Sequence, residues 1–216
     1  MFSAGFAAFA LLAVNLIKGK IKLLSRYRLK DYLIILLTSL PGTFFYYVFL
    51  YLGTAKMAAS QAFIINYLWP IMSVVFACII LKERLTARKF TALALSFLGV
   101  LTVAGGELLS FNVTALVGAC LCILAAVSYG AFTALTRRYC YDEELSLMLS
   151  FFASFILSAL INLIIGERIS IGVPEILGFA YSGVAVMAIA TVTWALALKA
   201  GGTAKISNLA YIGKSE

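Results

Sequence analysis

The chain has 216 residues, 63% hydrophobic and 12% charged, with a mean hydropathy of +1.05 and a formal charge of +8. That balance belongs to membrane proteins, and the charge-free stretches are too many and too close together for a soluble core. The positive charge does not point to nucleic acid, because the basic residues sit in short loops between apolar runs, where they set orientation. The sequence has no histidine, which argues against haem, most zinc chemistry and histidine-based catalysis; no cofactor or metal is expected.

Seven spans follow in chain order, each long and apolar enough to approach a bilayer crossing. They are predicted at about Phe2–Ile17, Tyr32–Leu52, Ala58–Leu81, Phe90–Gly105, Val113–Thr136, Leu145–Ile165 and Ile176–Leu198, with an eighth segment starting near Thr203. The N-terminus is not a secretory signal, since its lysines (Lys18, Lys20, Lys22) follow the apolar run rather than precede it. Alternate loops carry six, four, two and two Lys/Arg, while the other set carries only Lys56 and Arg168. The positive-inside rule then puts Met1 outside and the loops 18–30, 82–89, 137–144 and 199–205 in the cytoplasm. The basic run Lys18–Lys30 also fits a lipid headgroup patch, although topology alone accounts for it.

The third span carries the clearest chemical signal. It reads SQAFIINYLWPIMSVVFACII from Ser60, with Asn66, Tyr67, Leu68, Trp69 and Pro70 at its middle. Proline has no N–H, and its ring collides with the carbonyl four residues back, here that of Asn66. In a membrane the freed backbone groups need partners inside protein or in a wet cavity. A broken, polar segment at mid-depth is how transporters build a solute site; the other reading is a kinked packing helix with Asn66 bonded to a neighbour. In the fifth span Gly118, Cys122, Ala126, Gly130 and Ala134 recur every four residues, a stripe that lets helices pack closely in lipid. The other cysteines, Cys78, Cys120 and Cys140, show no C-x-x-C spacing, and all four are read as small hydrophobes.

Shifting the chain by 144 residues lays Asp31-Tyr32 on Glu175-Ile176, Ala58-Ala59-Ser60 on Gly202-Thr203-Ala204, and Tyr67 on Tyr211. Matched spans are five apart and so cross in opposite directions, the pattern of an inverted-topology repeat. The expected fold is an all-α integral membrane protein, a polytopic bundle of inverted five-helix repeats with about seven full spans plus a stub. Residues 1–106 form the first repeat and 107–216 the second. The repeat implies one helix before residue 1 and most of two after residue 200, hence a fragment of a ten-helix protein of about 290 residues.

With these residues laid out, the chain resembles the drug/metabolite transporter superfamily, EamA type. The run LKERLTARKFTALALSFLGVLTVAGG (81–106), with Glu83 and Gly99, resembles that family's passage from fourth to fifth helix. INYLWP (65–70) resembles the core of the aromatic amino acid exporter branch, and KAGGTAKISNLAYI (199–212) the start of the ninth helix. The resemblance implies a central cavity lined in this chain by the second, third, fifth and seventh spans and the stub.

Polar and aromatic residues at mid-depth of those spans are the candidate solute-binding residues: Asn66, Tyr67, Trp69, Pro70, Tyr46, Tyr47, Tyr129, Thr133, Trp194, Asn208 and Tyr211. Ser128, Thr191 and Thr193 accompany them, whereas Tyr51 and Tyr181 fit an interfacial belt. Aromatic walls would stack a solute while amides and hydroxyls orient its polar end. No charged side chain lies deep in a span, so none obviously carries a coupling proton. Glu83 is expected to pair with Arg84 or Arg88. The leading expectation is an exporter of small metabolites, probably amino acids, in a bacterial inner membrane. Its partners are a small-molecule substrate and the lipid bilayer, and a homodimer is allowed. The alternatives are a non-transporting scaffold or an intramembrane enzyme; the enzyme would need a nucleophile and base, or paired carboxylates, at membrane depth, and none is visible.

Overall fold

The computed structural model describes residues 1–84, 86–87, 90–91, 93–95, 97–98, 113–166, 172–201 and 206. Among them every regular element is helical. The expected fourth span and the stub lie largely outside the described residues.

Helix α1 is Phe2–Ile17, as the apolar run predicts. Its 16 residues fall short of the usual span of about 20. At Gly19, whose φ of 66° is a conformation glycine adopts without strain, the chain turns into a short 3-10 helix, Lys20–Arg26. That helix lies at 96° to α1. The second span is longer than the apolar run suggests. It comprises α2 (Leu29–Leu40), a π-helical segment (Pro41–Phe45) and α3 (Tyr46–Thr54). The third span is two helices, α4 (Ala59–Asn66) and α5 (Trp69–Ile80). Then follow α6 (Val113–Tyr139) and α7 (Glu143–Ile165). The last span comprises α8 (Val173–Tyr181), a second π segment (Ser182–Ala190) and α9 (Thr191–Gly201). Five stretches, Leu29–Thr54, Ala59–Ile80, α6, α7 and Val173–Gly201, are long and apolar enough to cross a membrane. The offset that carries Tyr67 onto Tyr211 carries Pro41–Phe45 into the second π segment.

Contacts divide the chain into two compact units. One comprises Met1–Phe44 and Tyr139–Leu196, the other Phe45–Arg138 with the residues from Ala197. Each unit therefore draws on both halves of the sequence.

In the first unit α1 packs on α7, on α8 and on the second π segment, and α2 packs on α7. Gly183 makes the π-segment contact close: a Cβ there would strike the Ser3 carbonyl oxygen and sit 2.7 Å from the Phe6 Cβ. The α2–α7 seam is a ladder of hydroxyls. Thr43 Oγ1 donates to the Ser39 carbonyl at 3.1 Å and is hydrogen-bonded to Ser150 Oγ. Ser154 Oγ lies 3.3 Å from Thr43 Oγ1 and donates to the Ser150 carbonyl at 2.8 Å. Interhelical hydroxyl bonds of this kind hold helices together in lipid, at roughly 0.6 kcal/mol each. At one end of α7, Asp142 caps the helix by accepting from the Leu145 N–H at 3.1 Å. Lys18 Nζ reaches Glu144 at 2.6 Å, and Lys20 Nζ reaches both Asp142 and Glu144 at 2.9 Å.

In the second unit the five residues of the small-residue stripe are all buried, which supports the packing reading. A Cβ on Gly53 would sit 2.6 Å from Cys122 Sγ and 3.0 Å from the Gly118 carbonyl oxygen. Leu50, Ala62, Cys122 and Ala125 form the core there, with Tyr46, Phe49, Met57 and Ile65 packed on it. Glu83 is held by Arg137, Oε1 to Nη1 at 2.6 Å. This partner comes from the end of α6, which the expectation of Arg84 or Arg88 did not include; Arg88 lies outside the described residues.

Candidate functional site

The site grows out of the interruption between α4 and α5. Pro70 has no N–H to give the Asn66 carbonyl, and the helix tightens before it. The Tyr67 N–H is shared between the Phe63 carbonyl at 3.0 Å and the Ile64 carbonyl at 3.1 Å, and the Leu68 N–H reaches the Ile65 carbonyl at 3.1 Å, i to i−3. The ladder restarts when the Met72 N–H reaches the Leu68 carbonyl at 3.0 Å. Ser73 Oγ supports the restarted turn by donating to the Trp69 carbonyl at 2.8 Å. The expectation of a break at this proline holds, and the break falls at Tyr67–Leu68, just before it.

Asn66 is 6% exposed and ends α4. Its Nδ2 donates to the Tyr46 hydroxyl at 3.1 Å, which leaves that hydroxyl's own proton free to donate elsewhere. Its Oδ1 is buried without a partner among the described residues. A buried amide acceptor left unmade costs roughly 1–3 kcal/mol.

Aromatic rings gather beside it. The Tyr129 ring lies 4.9 Å from Tyr46 and 5.1 Å from Trp69, the latter edge to face. Tyr47 lies 4.9 Å from Tyr46, and Phe132 lies 5.4 Å from Tyr129. What brings Tyr129 this close is its neighbour Gly130. A Cβ at Gly130 would sit 2.6 Å from the Met72 Cβ and 2.7 Å from the Met72 carbonyl carbon, so α6 meets α5 backbone to backbone.

The structure thus brings Asn66, Tyr46, Tyr47, Trp69 and Tyr129 together in one unit, with Pro70 buried at the break. Tyr67 is half-buried at the same turn. Thr133 is buried, but its hydroxyl is spent on its own helix, donating to the Gly130 carbonyl at 2.7 Å. Trp194 is half-buried and lies in the other unit. So do Thr191 and Thr193, whose hydroxyls donate to the Val186 and Ile189 carbonyls at 3.4 and 2.8 Å. Asn208 and Tyr211 lie outside the described residues. Phe132 and the ladder Ser39, Thr43, Ser150, Ser154 did not figure among the candidates; the i, i+4 spacing of Ser146, Ser150 and Ser154 was the signal for the ladder.

One buried acceptor, a phenol and a set of aromatic faces can orient a small solute by its polar end and stack its apolar part. They hold no nucleophile with an adjacent base.

Residues 1–105 match the EamA-like transporter family. An uncharacterized transporter of Archaeoglobus fulgidus is 32% identical over 94 residues, 44% of this chain and 32% of its own; the chain spans about a third of that relative's length. A protein of known crystal structure superimposes with a TM-score of 0.80 at 20% identity, over 98% of this chain and 73% of its own, which shows a shared fold. Apolar spans and this match together make the protein a multi-pass membrane protein. Over residues 1–105, nearly half the chain, the sequence is similar to the EamA-like transporter family.

Proposed function

We propose that this protein is a secondary exporter of small metabolites, amino acids foremost, in a bacterial plasma membrane. It works by alternating access between two inverted repeats, residues 1–106 and 107–216, with Met1 outside. The solute sits against the α4–α5 break, its amino group or another N–H or O–H donor on Asn66 Oδ1 and its side chain among Tyr46, Tyr129 and Trp69. The observation that carries this reading is the buried Asn66 Oδ1, without a partner among the described residues, in a span interrupted between α4 and α5. The family match of residues 1–105 supports the transport class, and the equivalent placement of the two π segments supports the repeat.

Proteoliposomes containing the purified protein should take up labelled amino acids with saturable kinetics. Asn66→Leu should abolish that flux while leaving the thermal unfolding midpoint within a few degrees. If folded wild-type protein moves none of the twenty amino acids saturably, the amino acid assignment is wrong. If Asn66→Leu transports as wild type does, the site is elsewhere.

A further inference from the structure

The short helix Lys20–Arg26 and the groove beside α1 play no part in the proposed transport site. Within the first unit, α1 and the Val173–Gly201 span leave between them a cavity of about 230 Å³. Its walls are aliphatic, with Leu11 and Val14 from α1 and Ala188 and Val192 from the second π segment and α9. Lys18 and Glu144 also line it. These are the residues where α1 ends and α7 begins, so the groove runs from an apolar interior to a charged membrane surface.

The chain at that end is built for an interface. Lys20–Arg26 lies at 96° to α1, which lays it along the bilayer surface if α1 crosses. Ile21, Leu23 and Leu24 are half-buried, whereas Lys22 and Arg26 are exposed, as are Arg28 and Lys30 just beyond. Apolar residues turned in and cations left in water are the marks of a helix lying in the headgroup layer. The carboxylates at this end do not cancel all that charge. Glu143 is buried, Glu144 is taken by Lys18 and Lys20, Asp142 by Lys20, and Asp31 by the Arg28 backbone N–H and the Tyr141 hydroxyl, each at 2.8 Å.

We infer that the groove and the Lys20–Arg26 helix together bind one anionic phospholipid, its acyl chain between α1 and the Val173–Gly201 span and its phosphate on Lys22 and Arg26. A zwitterionic lipid would fill the aliphatic slot equally well, so the exposed cations are what selects charge. Each basic group near the surface adds to the attraction for an anionic headgroup.

The test is a binding titration by native mass spectrometry or thermal shift on the detergent-solubilised protein, with dioleoyl phosphatidylglycerol and dioleoyl phosphatidylcholine. Phosphatidylglycerol should bind roughly tenfold tighter, and raised salt should reduce the difference. The double variant Lys22→Gln/Arg26→Gln should bring the two lipids level without changing the unfolding midpoint of the lipid-free protein. Val14→Trp, which fills the groove, should weaken both lipids alike. The inference is overturned if wild type binds the two lipids equally, if the double variant keeps its preference, or if glycerol phosphate, which has no acyl chain, protects as well as phosphatidylglycerol. A folded Val14→Trp protein that binds both lipids as wild type does would also overturn it.

Discussion

Pro41 and Pro70 each sit inside an apolar span, and the chain answers them differently. Around Pro41 the helix continues: the backbone widens into a π segment, and α2 and α3 remain one span from Leu29 to Thr54. A π turn hands an orphaned carbonyl to a donor one residue further on. Thr43 adds its hydroxyl to the Ser39 carbonyl. Around Pro70 the helix stops and restarts, with an i to i−3 turn between, and Asn66 is left with an unused acceptor. The proline alone does not decide the outcome. Where nearby hydroxyls close the backbone and one another, the break is repaired and becomes glue. Where the neighbours are an amide and aromatic rings, the break keeps an unused acceptor among the described residues.

The contrast can be broken most severely at the contact that fixes the second half-helix. Gly130→Val pushes a branched side chain into the Met72 backbone, and overpacking of that kind costs up to about 3 kcal/mol. A large drop in unfolding midpoint is expected, and a midpoint like wild type would contradict the backbone-to-backbone contact. Next come the prolines themselves. Pro70→Ala lets the ladder run through and should cut solute flux roughly tenfold, about 1.4 kcal/mol. Pro41→Ala, in a span already continuous, should change flux much less. Equal effects in the proteoliposome assay would remove the distinction between the two breaks.

Smaller changes sharpen it. Tyr46→Phe removes the acceptor for Asn66 Nδ2 and should cost about 1 kcal/mol of stability, along with part of the flux. Thr43→Val cuts the hydroxyl ladder, should cost roughly 0.6 kcal/mol, and should leave flux unchanged. The smallest effect concerns Lys20. Burial lowers its pKa, but bonds to Glu144 and Asp142 outweigh that and hold it above the ordinary 10.5. A group raised on folding stabilises fully below its unfolded pKa and loses that stabilisation as pH climbs through the folded one. Unfolding midpoints should therefore show no contribution from Lys20 titration until the pH passes 10.5, and Lys20→Met should remove the alkaline component.

Much of the fold was legible because a bilayer demands long charge-free runs. α1 ends where the first lysine begins, and the break in the third span was written in its proline. The small-residue stripe of α6 announced its packing face through its four-residue period. Other features were hidden for physical reasons. A π segment leaves hydropathy unchanged, so nothing in Pro41–Phe45 or Ser182–Ala190 marked the widened turns beyond one proline. The 96° turn after α1 depends on Gly19 adopting a positive φ, which composition does not reveal. Glu83 meets Arg137 across 54 positions, a distance at which sequence spacing is silent. At the candidate site the residue types were legible, whereas the choice of Tyr46 as partner for Asn66 required coordinates.

The most direct measurement is solute protection of a thiol placed at the break. In a background with the four native cysteines replaced by alanine, Asn66→Cys should react with a small water-soluble thiol reagent from the aqueous phase, and a saturating transported solute should slow that reaction. A thiol that never reacts in folded protein, or that reacts at the same rate with and without any transported solute, would contradict a wet solute site at the proline break.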